Sequence, residues 1–470
     1  MPLPVLTIAQ MREWEKATWA TGQTEAEVIR QVGKCVARQA AGMSRAGDRV
    51  LILAGKGNNG ADARSVQENL IDRRVELLPV TDPTLDLPTL DTLLTLKPSL
   101  IIDGLFGIGL SRPLAADWVG FIQRVNGSGV RVLAVDVPSG LDADSGQPQG
   151  AAVRAQVTLT VGAPKLGMLQ EPAWPFVGRL EVADAVGLAP LSVKTELQWT
   201  LSEDFPGFPP PRMQSTHKGT YGHLAIIAGS LGYHGASVLC ARGAQRAQPG
   251  LITLFTLEQV YYTVAPQLQA VMVSPLRRDA QITVQPTAYL AGPGLAAPDI
   301  PDTVKTMVRH LWRDSRLPMV VDASALDWLP LGAIPKESLR VITPHPGEAA
   351  RLMGASAQYV QANRLRALRA ISKRFGDCWV VLKGHQTLIG RSTGDVYVNC
   401  SGNPHLAQGG SGDVLSGYLA GLLAQAALAA NPLKTIRYAV WQHGAAADLL
   451  QSQRTNWVVE DLVGAIGGVN

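Results

Sequence analysis

From residue 8 to residue 45, apolar positions recur at helical spacing among charged ones, with Trp14, Ala17, Val28, Ile29, Val32 and Val36 as the inward set. The pattern then changes period. Arg49-Val-Leu-Ile-Leu-Ala54 is a short unbroken apolar run, as expected of a parallel strand covered on both faces. Similar runs follow at Val75 to Val80, Ser99 to Asp103, Val130 to Asp136, Gln156 to Gly162 and Gly178 to Ala183. Between 187 and 215 the periodicity lapses and Pro190, Pro206, Pro209, Pro210 and Pro211 accumulate, which blocks both helix and central strand. The rhythm resumes with His223 to Ala228, Leu251 to Thr256, Pro318 to Asp322, a run from Val341 and Trp379 to Leu382, and reaches a long apolar helix expected over Val414 to Leu433. Strands alternating with helices predict an α/β fold class with two domains, 1–205 and 206–470.

In parallel sheets the C-terminal strand ends share one crevice, so the chemistry is sought there. Gly55-Lys-Gly-Asn-Asn-Gly60 follows the first strand and has the form G-x-G-x-x-G, with Glu76 at a plausible distance for a ribose contact. Asn58 and Asn59 are unusual in that pattern; paired amides offer oxygen ligands to a hard cation and donors to a polar substrate. Two later strands end in Asp103 and Asp136, each close to glycine. In the second half, Asn403 to Gly417 reads NPHLAQGGSGDVLSG. Gly409, Gly410 and Gly412 allow a tight turn with inward amides, feeding a helix N-terminus, which is a ready anion site. Asp413 at that junction repels a phosphate, yet suits removal of a proton from a hydroxyl that attacks a phosphoryl group. The alternative is a plain helix cap. Lys383 ends the Trp379 strand and is placed to meet a phosphate, and His345 stands between two prolines, either in the site or bonded locally.

Composition narrows the class. At 470 residues the chain exceeds one hydrophobic core, and 46% hydrophobic with 17% charged residues suits a soluble globular protein. Net charge is +4 with scattered basic residues; the densest cluster, Arg364, Arg366, Arg369, Lys373 and Arg374, reads as a solvated helix face and not as a nucleic-acid footprint. Cys35, Cys240, Cys378 and Cys400 form no CxxC pair and read as reduced residues of a cytoplasmic protein. The N-terminal stretch holds Arg12, Glu13, Glu15 and Lys16 with no apolar signal core, and Val414 to Leu433 carries Ser416, Gln425, Asn431 and Pro432, so neither export nor a membrane partner is expected. No G-x-x-x-x-G-K-[ST] is present, which excludes a P-loop enzyme.

GKGNNGAD, DGLFGIGLSRP and DVPSGLD, in that order, resemble the NAD(P)H-hydrate epimerase domain. The resemblance implies a three-layer α/β/α, Rossmann-like first domain that interconverts the R and S forms of hydrated NAD(P)H and binds potassium. By motif, Asn59, Asp103 and Ser139 would be the potassium ligands, and Asn58, Asn59, Gly60, Ala61, Asp62, Gly107, Ile108, Gly109, Leu110, Ser111, Arg112, Pro113 and Asp136 would contact the hydrated nucleotide. The family usually has glycine at Ala61 and Ala63, and the added methyls are expected to narrow the pocket.

GSLGYHGA, AGPGL, DASAL, TPHPGE, LKGHQT and the NPHLAQGGSGDVLSG stretch resemble the ADP-dependent NAD(P)H-hydrate dehydratases, ribokinase-like in fold. Together the two resemblances span nearly the whole chain and match the bifunctional NAD(P)H-hydrate repair enzymes. By motif, Ala236, Gly294, His345 and Asp413 would contact the hydrate, while Lys383, Gly384, His385, Gln386, Thr387 and Gly412 would hold the adenine nucleotide, with Mg²⁺ as cofactor and ADP as co-substrate. Asp413 would be the catalytic base. The family suggests a homo-oligomer. Two other readings stay open: a small-molecule kinase sharing the glycine turn and aspartate, and a first domain that only binds nucleotide or a partner protein.

Overall fold

The computed structural model describes residues 2–191, 193–277 and 281–469. The chain divides into two compact units, Leu3–Glu196 and Leu197–Asn470.

In the first unit, Thr7 and Thr24 each open a helix through a reciprocal capping box, with Gln10 and Glu27 respectively. The resulting helices, Ile8–Ala20 and Glu25–Met43, bury Met11, Trp14, Thr18, Val28, Val32 and Val36. Ala17, expected inward, is exposed; Thr18 takes the buried position and bonds its hydroxyl to the Trp14 carbonyl at 2.9 Å. The strands are β1 (Leu3–Pro4), β2 (Arg49–Ala54), β3 (Arg74–Pro79), β4 (Leu100–Gly104), β5 (Arg131–Val135), β6 (Val157–Val161) and β7 (Arg179–Ala183). Six of them form a parallel sheet in the order β3-β2-β4-β5-β6-β7. Val50, Ile52 and Ala54 pack with helix Glu25–Met43 on one face, while Leu51 and Leu53 pack with Phe121, Ile122 and Val125 on the other. This period-two split of an apolar strand makes the three-layer sandwich that the resemblance implies. The chain leaves β2 toward β3, then returns to place β4 on the other flank. The crevice where the order reverses therefore opens between the ends of β2 and β4. There a Cβ on Gly55 would lie 2.1 Å from the Leu105 carbonyl oxygen, so only glycine allows the two strand ends to close up.

The second unit adds β8 (Leu197–Trp199), β9 (His223–Ile227), β10 (Leu251–Leu257), β11 (Met272–Leu276), β12 (Ala288–Ala291), β13 (Met319–Val321), β14 (Arg340–Ile342), β15 (Trp379–Leu382), β16 (Leu388–Gly390) and β17 (Val396–Val398). They run β8-β17-β16-β15-β14-β13-β12-β9-β10-β11, with only β16 antiparallel to its two neighbours. The switch point lies between β9 and β12, where Gly229, Gly292 and Gly294 take positive φ of 88°, 127° and 65°.

The expected boundary at 205/206 is displaced: the break falls after Glu196. Leu197–Trp199 pairs in parallel with β17, and Trp199 is fully buried. Beyond it Asp204 forms an ion pair with Arg437, and Phe205 and Phe208 pack edge-on against Tyr438. The expected single helix over Val414 to Leu433 is also broken. Helix Ser411–Leu423 stops at Ala424, and Pro432–Gln453 is a separate helix opened by Asn431 and Pro432. Helix Ser411–Leu423 is buried because glycine admits backbone contact with helix His234–Arg246: a Cβ on Gly417 would lie 1.9 Å from the Cys240 carbonyl oxygen. The four cysteines are free thiols, Cys240 and Cys378 buried, Cys35 and Cys400 partly so. Among the described residues no helix is long and apolar enough to cross a membrane.

The basic cluster on helix Arg364–Arg374 is only in part a solvated face. Arg366, Lys373 and Arg374 are exposed, but Arg364 is buried and Arg369 partly so.

Candidate active sites

A cavity of about 960 Å³ opens at the β2/β4 switch point. Asn58, Asn59, Asp62, the whole turn Gly107–Pro113 and Asp136 line it. Gly60 and Ala61 do not: a Cβ on Gly60 would lie 2.0 Å from the Gly55 carbonyl oxygen, so that residue packs inward against the loop. Ala63 is buried in the core beneath, so neither alanine methyl narrows the cavity. Glu76, considered for a ribose contact, is ion-paired with Arg49 and lies outside the cavity wall.

Asn59, Asp103 and Ser139 meet around Phe106. Asn59 Nδ2 donates to the Phe106 carbonyl at 2.8 Å, and the Phe106 amide donates to Ser139 Oγ at 2.8 Å. Ser139 gives its hydroxyl and amide to Asp103 at 2.6 and 2.9 Å. Burial pushes the Asp103 carboxyl up to about 6 even against those hydrogen bonds. Asn59 Oδ1 is buried with no hydrogen-bond partner, an unusual cost for an amide oxygen. An unpaired oxygen beside an uncompensated buried carboxylate fits a monovalent cation.

Asp136 sits at φ +65°, which turns its carboxylate back over β6. Its Oδ1 accepts from Lys165 Nζ at 2.5 Å, the Val161 amide at 3.0 Å and Thr160 Oγ1 at 3.2 Å. Lys165 is fully buried and also donates to Thr160 Oγ1 and the Val161 carbonyl. Four further carboxylates, Glu15, Glu25, Asp62 and Asp117, line the cavity. Asp62 is pushed up to about 8, first by burial and then by the charges of Asp136, Glu15 and Glu25; Glu15 is raised by the same causes. Sequence reading missed Lys165, Glu15 and Glu25. No motif spacing marks them, since a buried lysine on a turn and two helical glutamates look like ordinary surface residues until the helices fold over the crevice.

In the second unit, the ends of β13, β14 and β15 bring Asp322, Glu348 and Lys383 together with the glycine turn. Lys383 Nζ lies 2.9 Å from Asp322 Oδ1 and 3.9 Å from Glu348 Oε2. A Cβ on Gly412 would lie 3.2 Å from that ammonium, so the glycine leaves room for lysine at the start of the helix. Burial pulls the Lys383 ammonium down, but the neighbouring carboxylates outweigh it and its pKa is raised. Asp413, one residue on, is pushed up to about 7 by burial and the Asp322 charge, opposed by Lys383. Gly410 is left-handed at φ +96° and starts helix Ser411–Leu423, and His443 Nε2 touches the Ser411 carbonyl at 2.9 Å beneath it.

His345 caps helix Pro346–Met353: its Nδ1 accepts from the Gly347 and Glu348 amides at 3.0 and 3.3 Å. That leaves Nε2 free to carry a proton, 3.4 Å from Glu348 Oε1. Ala236 and Gly294 are neighbours across the other flank, where a Cβ on Gly294 would lie 3.1 Å from Ala236 Cβ. Gly384, His385, Gln386 and Thr387 form the turn after β15; the Thr387 hydroxyl closes it on the Gly384 carbonyl at 3.1 Å. Among the described residues no three His, Cys, Asp or Glu side chains converge as a metal-binding group. A second cavity, about 540 Å³, lies at the opposite ends of β10 and β11, beside Arg212, Gln248 and Met272.

The second unit, a doubly wound sheet with lysine and aspartate beside a glycine turn, has a ribokinase-like α/β fold. Its fold is that of a ribokinase-like superfamily protein from Enterococcus faecalis, 22% identical, TM-score 0.50, covering 59% of this chain and 97% of that one. Residues 224–466 match the family model described as NAD(P)H-hydrate dehydratase, and residues 77–167 that of the YjeF-related protein N-terminus. The bifunctional NAD(P)H-hydrate repair enzyme Nnr of Coxiella burnetii is 33% identical over 93% of both chains, and that of Gloeobacter violaceus 34% identical over 95% of this chain and 93% of its own. The chain belongs to the family of bifunctional NAD(P)H-hydrate repair enzymes.

Proposed function

We propose that the first unit epimerises hydrated NAD(P)H and the second dehydrates the S form at the expense of ADP. Hydroxide is a poor leaving group from the hydrated ring. In the second unit Asp413 takes the proton of the hydrate's hydroxyl as its oxygen attacks the terminal phosphorus of ADP, and AMP departs. Lys383 and the amides of the glycine turn balance the charge on the transferring group. Phosphate then leaves the ring carbon, a proton leaves the neighbouring carbon, and the double bond of NAD(P)H returns. The hydrate would lie against Ala236, Gly294 and His345, with the nucleotide on Lys383 to Thr387 and Gly412. Mg²⁺ would neutralise phosphate charge when bound; no three-residue cage is found among the described residues, and Asp322 and Glu348 would hold it.

In the first unit, neutral Asp62 protonates the departing hydroxyl while the ring nitrogen supplies the electron pair. Water returns to the opposite face and gives its proton to Asp136, which its ion pair with Lys165 holds in place. Potassium would occupy the place marked by the unpaired Asn59 Oδ1, with Asp103 and Ser139, and would hold the Phe106 turn against the substrate.

The observation that carries the reading is the meeting of Lys383, Gly412 and Asp413 at one helix start. The experiment supplies a mixture of the two epimers of hydrated NADH with ADP, and in parallel with ATP, and follows absorbance of the regenerated dihydronicotinamide. Recovery of both epimers supports the proposal. A stable phosphorylated alcohol would instead establish a kinase, and recovery of only half the hydrate would remove the epimerase.

A further inference from the structure

Arg364 is buried at the start of helix Arg364–Arg374, and its guanidinium faces inward toward the turn after β15. Nη1 donates to the carbonyls of His385 and, at 3.3 Å, Gln386; Nη2 donates to the Leu382 carbonyl at 3.2 Å. One planar fork thus gathers the last residue of β15 and two residues of the turn. The turn's shape needs it. Gln386 is left-handed at φ +52°, where an L side chain is strained, and Gly384 is at φ +128°. With these dihedrals three carbonyls converge on the one buried guanidinium. A lysine ammonium has no planar fork to span them. Two residues from Leu382, Gly384 has the Arg364 guanidinium as its nearest neighbour, 3.6 Å from where its Cβ would stand. The same helix fastens the following hairpin, because Arg369 donates to the carbonyls of Arg391 and Gly394 at 2.6 and 2.5 Å.

We infer that Arg364 is a positioning residue for the adenine nucleotide: by holding the carbonyls of Leu382, His385 and Gln386 inward it turns the opposite side of the Lys383–Thr387 turn toward the nucleotide and sets Lys383 against Asp322 and Gly412. The inference rests on the nucleotide reading of that turn. Its signature is a change confined to ADP.

The test uses the full-length protein with Arg364→Lys and Arg364→Ala, measuring kcat and KM separately for ADP and for the S hydrate, with epimerisation as an internal control. The expected result is a loss on the order of 10²-fold in kcat/KM for ADP. It should fall mainly in KM, with KM for the hydrate and the epimerisation rate within about twofold of wild type. Ethylguanidinium added to Arg364→Ala should restore the ADP KM, and ethylamine should not. Should Arg364→Ala prove insoluble, Arg364→Lys reads the same split. Equal losses for ADP and hydrate, or an unchanged ADP KM in a folded variant, would overturn the inference. Absence of any ADP-dependent recovery in the wild-type protein would instead overturn the nucleotide reading beneath it.

Discussion

The two units solve charge balance differently at sites that look alike in outline. Each gathers carboxylates at the C-terminal ends of parallel strands, and each pushes one aspartate far above its ordinary range: Asp62 to about 8, Asp413 to about 7. In the first unit the cation at the site's floor, Lys165, is wholly enclosed and committed to Asp136. In the second, Lys383 stands between Asp322 and the glycine turn, within reach of an incoming anion. An enclosed ion pair beside a neutral carboxyl suits proton shuffling on a substrate whose net charge does not change. A reachable ammonium beside free helix amides suits movement of a phosphoryl group.

That contrast can be broken most sharply at Asp413. Asp413→Asn should lower ADP-dependent recovery of NADH by about 10²- to 10⁴-fold while leaving epimerisation and nucleotide binding in place. The reciprocal change, Lys165→Met, should lower epimerisation by roughly 10²-fold by releasing Asp136 from its oriented pair. Dehydration of the S hydrate should be untouched; chromatographic separation of the epimers reads both. A parallel loss of the two activities in either variant would mean the sites are not independent.

The pH dependence should separate the units next. With Asp413 as the proposed base, dehydration should fall about tenfold per pH unit below its raised value near 7 and level off above it. With Asp62 as the proposed acid, epimerisation should fall above about pH 8. The sign for stability is opposite to that of an ordinary carboxylate. A raised Asp62 favours the folded state at low pH and costs stability as pH rises from about 4 through about 8. Asp62→Asn should therefore raise the melting temperature of the first unit more at pH 8 than at pH 5. Smallest, and confined to the second unit, is Gly417→Ala, whose methyl meets the Cys240 carbonyl and should cost about 1–3 kcal/mol by thermal melting.

The strand runs were legible because burial on both sheet faces demands continuous apolar stretches; β2 has the bounds Arg49–Ala54 that its run predicts. Glycine turns with a neighbouring aspartate were legible for the same kind of reason, since few other uses require three residues without a side chain in four positions. The cap made by His345 was legible only as one of two possibilities. Glu15, Glu25 and Lys165 were hidden because their meaning depends on burial created by distant packing. Arg364 looked like one of five basic residues on an outward face; only the turn of β15, brought beneath it by the sheet, reveals its carbonyl partners. Leu197–Trp199 was too short to carry a period, and the prolines after it drew the boundary downstream.

That three-residue strand sets where one gene's worth of protein could be cut from the other. A shortened polypeptide beginning at residue 206 would lack Trp199 and the Asp204 partner of buried Arg437, leaving a guanidinium without its anion and a bare sheet margin open to self-association. A separately expressed dehydratase half has to start upstream of Leu197, so the seam between the two units lies inside the segment that looks, by composition, like their spacer.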